Sequence, residues 1–315
     1  MRILITGGFG FVGGRLAIHL VRVGHQIVIG SSDVTKVPTW ATQIEVVQIV
    51  WSDNDVLEQS CSGVDVLIHA AGMNVHDCAA DPVNALAFNG VATARLTAAA
   101  SRAGVQRVIY LSTAHVYASP LVGTITEETY PSNLHPYATS HLAGEYAVLG
   151  ESARGGTEGI VLRLSNTFGA PMHKDVNCWM LLVNDLCRQA VQTGKMILNT
   201  NGLQERDFIG MADVCSVLEH LVNLDVNVAP LGVFNVGAGV SLSVFEMARL
   251  IQQRCKLVLG FEPVLQRPEV SEHNNQRTLI YRSERLAKMG VNLSLDKIAE
   301  IDRLLLFCHS SISQS

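Results

Sequence analysis

The first fourteen residues, MRILITGGFGFVGG, constrain this chain more than any other stretch. Ile3, Leu4 and Ile5 form a short apolar run, Gly7, Gly10 and Gly13 follow at a spacing of three, and Leu16, Ala17, Leu20 and Val21 then recur with helical period. The order is strand, tight glycine turn, helix. Such a turn presents backbone N–H groups and the positive end of a helix dipole, so a pyrophosphate can be held there without a lysine. A side chain at the glycines would block the turn, the approach of the phosphate or the contact of helix with strand. The spacing points to a dinucleotide site at Gly7, Gly10, Phe11 and Gly13.

The strand–helix rhythm continues. Strands are expected at Gln26 to Ile29, Ile44 to Val50, Val64 to His69, Arg107 to Ser112 and Ile160 to Leu164. The alanine-rich segment from Asn84 to Ala103, closed by Gly104, and the segment from Tyr137 to Ala153 read as helices. Near-continuous Val/Ile/Leu strands between helices predict an α/β fold built on a doubly wound parallel sheet covered on both faces. Residues 1–170 form the dinucleotide-binding domain, to which a late strand near 233–236 returns. Residues 171–315, punctuated by prolines, read mainly as a smaller substrate-binding lobe of helices and loops, with a frayed serine-rich end from His309 to Ser315.

With 315 residues, 48% of them hydrophobic, a large core is available. The net charge of -5 and only 16% charged residues give no general field for nucleic acid or an anionic membrane, so neither is expected as a partner. An anionic ligand must be met locally, by arginines and helix termini. The seven cysteines form no C-x-x-C pair and no cluster with histidines at metal spacing. Buried thiols, no structural metal and a cytoplasmic location are the expectation.

Where the second strand ends, a dinucleotide fold meets the adenosine ribose, usually through an acidic residue. Here the strand runs into Ser31 and Ser32, with Asp33 a little late and Lys36 beyond. Hydroxyls there tolerate a 2′-phosphate, so NAD and NADP both remain open, with a slight lean to NADP. Farther on, Thr113 closes a strand at the sheet's carboxyl edge, Tyr137 opens a helix twenty-four residues later, and His141 lies one turn on, facing the same side. His115 stands two residues beyond Thr113 and His135 just ahead of Tyr137, each flanking the cleft.

The blocks TGGFGFVG, VDVLIHAAG, YLSTAHVYAS, HPYATSH, LRLSNTFGAP and ERDFIGMADV stand in an order that spans nearly the whole chain. The sequence resembles the extended short-chain dehydrogenase/reductases, the NAD(P)-dependent epimerases, dehydratases and reductases of nucleotide sugars. The resemblance implies a Rossmann fold and a homodimer. Carried over by position, Thr113 binds the substrate oxygen and Tyr137 is the acid/base. Ala70, Ala71, Asn89 and Thr93 line the cofactor cleft, as do Tyr137 and His141. On the substrate side the carried-over positions are Thr113, His115, Asn166, Asn177, Arg206 and Arg267. An ion pair of Arg206 with Asp207 or Asp213 is the structural alternative to a phosphate contact.

The departure from the family pattern is His141, which stands where a lysine is usual. A tyrosine with a pKa near 10 is ionised about once in a thousand at pH 7, so using it as base costs about 4 kcal/mol unless a cation helps. Histidine is shorter and only partly charged near neutrality, and in its protonated form it would assist Tyr137. The expected function is hydride transfer at a sugar ring carbon in an epimerase/dehydratase-type enzyme. The alternatives are an NADPH-dependent keto-sugar reductase and a non-catalytic NAD(P) sensor.

Overall fold

The apolar run after Met1 becomes the middle of a seven-stranded sheet, with Ile3, Leu4 and Ile5 inaccessible to solvent. In the computed structural model, which describes residues 1–225, 232–269, 278–291 and 293–311, the chain divides into two units. The first comprises Met1–Ser119, Thr129–Leu164 and Val217–Asn235, and the second Pro120–Glu128, Ser165–Ser216 and Val236–Ser315.

The first unit runs through β1 (Arg2–Thr6), α1 (Phe11–Arg22), β2 (Gln26–Ser31), β3 (Glu45–Gln48), α2 (Asn54–Ser60), β4 (Val66–His69), α3 (Thr93–Arg102), β5 (Arg107–Thr113), α4 (Pro136–Ala153), β6 (Glu158–Leu164) and β7 (Gly232–Val236). The strands lie in the order β7-β6-β5-β4-β1-β2-β3, and every pairing from β6 through to β3 is parallel. Leu4 sits between Val28 and Leu67 in register, which keeps one apolar layer continuous across the sheet. Winding reverses between β1 and β4, and at such a reversal the loops leaving the two strands open a crevice.

The helix expected from Asn84 to Ala103 is not one regular element. Pro82–Ala85 is α-helical, Leu86–Ala92 is a π-helical turn, and α3 begins only at Thr93. Within that turn the Asn89 carbonyl accepts from the Thr93 hydroxyl at 2.7 Å, and Gly90 lies against Ala143 of α4. Wide turns of this kind gather at functional sites because they re-aim a side chain, here that of Asn89.

In the second unit, helices Leu182–Thr193, Val244–Leu259 and Lys297–Ser311 enclose a core that includes Phe168, Leu186, Met247, Ile251 and Leu304. Strands are more numerous here than the sequence pattern suggests. Asn166–Phe168, Glu205–Gly210 and Ser241–Ser243 form one small sheet, and Lys195–Ile197 pairs with Val264–Gln266. Most are three residues long, too short for an alternating pattern to register. Residues 309–311 continue the last helix rather than fraying, and 312–315 lie outside the described residues. All seven cysteines are buried and free. Among the described residues no helix is long and apolar enough to cross a membrane.

A buried charge pair joins β6 to α4. Arg163 meets both carboxylate oxygens of Glu145, at 3.0 and 2.5 Å, with side chains 6% and 1% exposed. Ser112 donates to the same carboxylate, and the guanidinium lies 4.7 Å from the Tyr117 ring centroid. Removing one partner strands the other charge, so Arg163→Leu is expected to cost about 3–5 kcal/mol of stability, read by urea unfolding.

Candidate active site

The glycine turn follows β1. Gly7 has φ +69°, and a Cβ built on it would lie 2.7 Å from the Ala71 nitrogen and 2.8 Å from the Ala70 carbonyl carbon. The loops leaving β1 and β4 are therefore in close contact, and only a residue without a side chain allows it. Gly10 N–H donates to the Gly7 carbonyl at 2.9 Å, and a Cβ on Gly13 would strike that same carbonyl. Gly10 also caps α1, with no side-chain acceptor and no acidic residue in the first turn. The helix thus begins with uncapped N–H groups at Phe11 and its neighbours, a cradle for an anion.

At the end of β2, Ser31 turns its hydroxyl to Asp33, donating to its carbonyl at 3.0 Å and accepting from its N–H at 3.1 Å. Asp33 is engaged elsewhere. Its carboxylate takes the Thr35 hydroxyl and N–H and pairs with Lys36 at 3.0 Å, which together hold its pKa down at about 2. Ser32 accepts Gln48 Nε2 through its carbonyl.

Two polar rungs lace α4 to β5. Tyr110 and Ser112 alternate along the strand and so share a face, while His141 and Glu145 lie one turn apart on the helix. Tyr110 Oη is 2.9 Å from His141 Nδ1, and Ser112 Oγ is 2.5 Å from Glu145 Oε1. Two strand residues span about 6.6 Å and four helical residues about 6 Å, so both rungs close at once. Gly144 makes room for the first, because a Cβ there would lie 2.7 Å from Tyr110 Oη.

The three residues carried over as catalytic come together in this unit. Tyr137 packs edge-on to His141, ring centroids 4.6 Å apart, and the Thr113 hydroxyl is near enough to act on its phenol. Tyr137 is half-buried, and burial raises its pKa while the Thr113 hydrogen bond offsets part of that rise. His135 caps the helix, its Nδ1 accepting from Tyr137 N–H at 3.2 Å. His115 does not continue the strand's alternation. It lies in a 3-10 turn, Ala114–Val116, its N–H donating to Thr113 Oγ1 and its carbonyl accepting from Asn133.

His141, expected from its residue type to be partly charged near neutrality, is not so in the fold. Burial pushes its pKa down to about 4, so the imidazole is neutral near pH 7. Beneath it runs a buried polar chain absent from the sequence reading. Thr6 Oγ1 is 2.6 Å from His69 Nδ1, and His69 Nε2 is 2.9 Å from Thr93 Oγ1. Burial also pushes His69 down, to about 3. Asn89 ties the same region together, accepting Met73 N–H at 2.9 Å and donating to Ser140 at 3.0 Å. The one available signal was the match between polar residues two apart on the strand and four apart on the helix.

In the second unit, Asn166 donates to the Asp207 carbonyl at 3.0 Å. Arg206 forms no ion pair with Asp207 or Asp213. Asp207 is occupied by Ser165 Oγ and by Ala238 and Gly239 N–H, and Asp213 by Ser294. Among the described residues Arg206 makes only a long contact, 3.4 Å, to Gln204, and burial lowers its pKa. Arg267 stacks 3.6 Å from the Phe245 ring centroid and donates to the Asn201 carbonyl at 2.9 Å, so both arginines reach the loop at 199–204. Asn177 is exposed in a loop of the same unit.

A parallel sheet whose winding reverses at β1, with a glycine turn leading into an uncapped helix, defines a Rossmann-like fold. The chain belongs to the NAD dependent epimerase/dehydratase family, whose model matches residues 3–237. UDP-glucuronic acid decarboxylase 1 of Xenopus tropicalis is 28% identical over 301 residues, 84% of this chain and 69% of that protein. UDP-glucose 4-epimerase of Corynebacterium glutamicum is 28% identical over 302 residues, 90% and 88% of the two chains. Among solved structures, TunA, an NAD-dependent NDP-hexosamine 5,6-dehydratase of tunicamycin biosynthesis, superposes with a TM-score of 0.80 at 26% identity over 100% of this chain and 99% of its own.

Both buried histidines lie below the ordinary value of 6.5, so the unfolded chain takes up protons first. The stability gained by keeping them neutral is complete above pH 6.5 and is lost as pH falls toward 4. For His141 that interval is worth about 3 kcal/mol. Urea unfolding at pH 7 and pH 4.5 should show a marked loss at the lower pH, smaller in His141→Gln.

Proposed function

We propose that this protein is an NAD(P)-dependent enzyme that transfers hydride at a ring carbon of a nucleotide-activated sugar, with Tyr137 as the acid/base. The observation that carries this reading is the packing of His141 against the Tyr137 ring, centroids 4.6 Å apart, with the Thr113 hydroxyl near enough to act on the phenol, at the carboxyl edge of the sheet. The glycine turn fits a dinucleotide, because side chains at Gly7 and Gly13 would strike the loop after β4 and the turn's own backbone, so that only glycines close the turn, and α1 presents uncapped N–H groups. Gly7, Gly10, Phe11 and Gly13 would hold it, Ser31 and Ser32 would meet the adenosine ribose, and Ala70, Ala71 and Asn89 would shape the far side of the crevice. Nicotinamide supplies the hydride acceptor or donor when bound.

Thr113 orients the reacting oxygen through its hydroxyl. Tyr137 moves the proton at that oxygen, and the neutral His141 contributes a hydrogen bond rather than a charge. Arg206, which has no carboxylate partner among the described residues, is assigned to the diphosphate of the sugar nucleotide, a task suited to a planar guanidinium. Asn166, Asn177, Arg267 and His115 complete the proposed substrate contacts. Hydroxyls in place of a carboxylate at the end of β2 favour NADP slightly over NAD. Exposed Val83, Leu86 and Val91, and Tyr146 of α4, offer an apolar face for a homodimer.

A specific observation favours the reductase as a second reading. With its pKa raised and no cation beside it, Tyr137 holds its proton at neutral pH and is better placed to give one to a carbonyl oxygen than to take one from a hydroxyl.

Tyr137→Phe should lower turnover by about 10²–10⁴-fold and leave dinucleotide affinity nearly unchanged, measured with a panel of UDP-, dTDP-, GDP-, CDP- and ADP-sugars and their keto forms. Binding of NAD(P) without turnover of any panel member would favour the sensor instead.

A further inference from the structure

His141 raises a problem that a lysine would not. An ammonium is the same from every side, whereas an imidazole has two distinct edges, and only one of its nitrogens carries the proton when the ring is neutral. Its usefulness at the site depends on which nitrogen that is.

The hydrogen bonds around it decide the question. Thr93 spends its one hydroxyl proton on the Asn89 carbonyl at 2.7 Å. The 2.9 Å contact between Thr93 Oγ1 and His69 Nε2 is therefore a donation by His69, which leaves His69 Nδ1 to accept from Thr6. Thr93 thus has no proton to offer Tyr110, and the hydrogen bond that the phenol makes among the described residues is to His141. The Tyr110 phenol is almost wholly enclosed, 1% exposed, and its proton needs an acceptor. The well-placed one is His141 Nδ1 at 2.9 Å. With Nδ1 accepting, the proton of the neutral ring sits on Nε2.

The other edge of the ring faces the loop that leaves β4. A Cβ built on Gly72 would stand 3.5 Å from His141 Cε1 and 3.7 Å from Nε2, and Gly72 follows Ala70 and Ala71, against which Gly7 packs. Among the described residues Nε2 has no hydrogen-bond partner. Gly144 is what admits the phenol, since any side chain there would collide with Tyr110 Oη.

We propose that Tyr110 is a positioning residue of this site: by donating to Nδ1 it fixes His141 as the Nε2–H tautomer and turns that N–H toward the crevice at Gly72. In that state His141 offers a donor to a hydroxyl of the ligand and does not compete with Tyr137 as a base. The proposal rests on the reading of His141 as part of the active site, but its principal test needs neither substrate nor cofactor.

Nitrogen-15 spectra of the histidine side chains in the full-length protein at pH 7.5, with His141 assigned by its loss in His141→Gln, report the tautomer directly. The expected result is protonated Nε2 and bare, hydrogen-bonded Nδ1. In Tyr110→Phe, which keeps the ring contact with His69 at 5.4 Å between centroids, His141 should change to a mixture of tautomers. Turnover on any accepted sugar should fall on the order of tenfold in kcat. A wild-type His141 protonated at Nδ1, or a tautomer unmoved in Tyr110→Phe, overturns the proposal. The wild-type spectrum alone settles the tautomer if the variant does not fold. An active Tyr137→Phe, by contrast, would overturn the catalytic reading and leave the tautomer assignment standing.

Discussion

The site depends on α4 being held at one height against β5. Apolar packing alone would let a helix slide or roll on a sheet at small cost, but the two polar rungs, Tyr110 to His141 and Ser112 to Glu145, allow a single register. Burial makes them strict. A slip would leave a phenol, an imidazole, a carboxylate and a guanidinium without partners in a region closed to water, each costing of the order of 1–3 kcal/mol or more. Tyr137 inherits its position from that register, since it sits one turn before His141 and packs against its ring. Thr113 inherits its own from the same strand.

The first half of the chain could be read from its residues because its elements are long and its turns chemically marked. Gly7 and Gly13 announce a close approach of backbones that the structure shows, and β1, β5 and β6 extend their predicted runs by only a residue or two. The π-helical turn at Leu86–Ala92 was hidden, because an alanine-rich stretch has high propensity throughout and the disruption comes from hydrogen bonds made by Asn89 and Thr93. The short strands after residue 165 were hidden for another reason. Three residues pair or do not according to their neighbours in space, which local pattern does not encode.

At the candidate site the residues were visible and their chemistry was not. Tyr137, Thr113 and His141 announced themselves by spacing and resemblance, while Tyr110 looked like an ordinary strand tyrosine. The charge of His141 followed from surroundings that only folding creates. A histidine beside a phenol in water titrates near neutrality, whereas the same ring enclosed between α4 and β5 does not. The family places lysine, which brings a fixed positive charge, where this chain places a neutral donor. On the proposed reading of the site, the change moves it from assisting ionisation of the phenol toward holding it protonated.

Gly144 couples two neighbouring positions. With glycine at that point, residues 110 and 141 are joined through the opening, and a mutation at any of the three is judged against the other two. A lysine at 141 would strip the enclosed phenol of its acceptor, because an ammonium has no lone pair to offer. The three positions therefore act as one mechanical unit, in which the space left by a missing side chain sets which ring edge the helix can present.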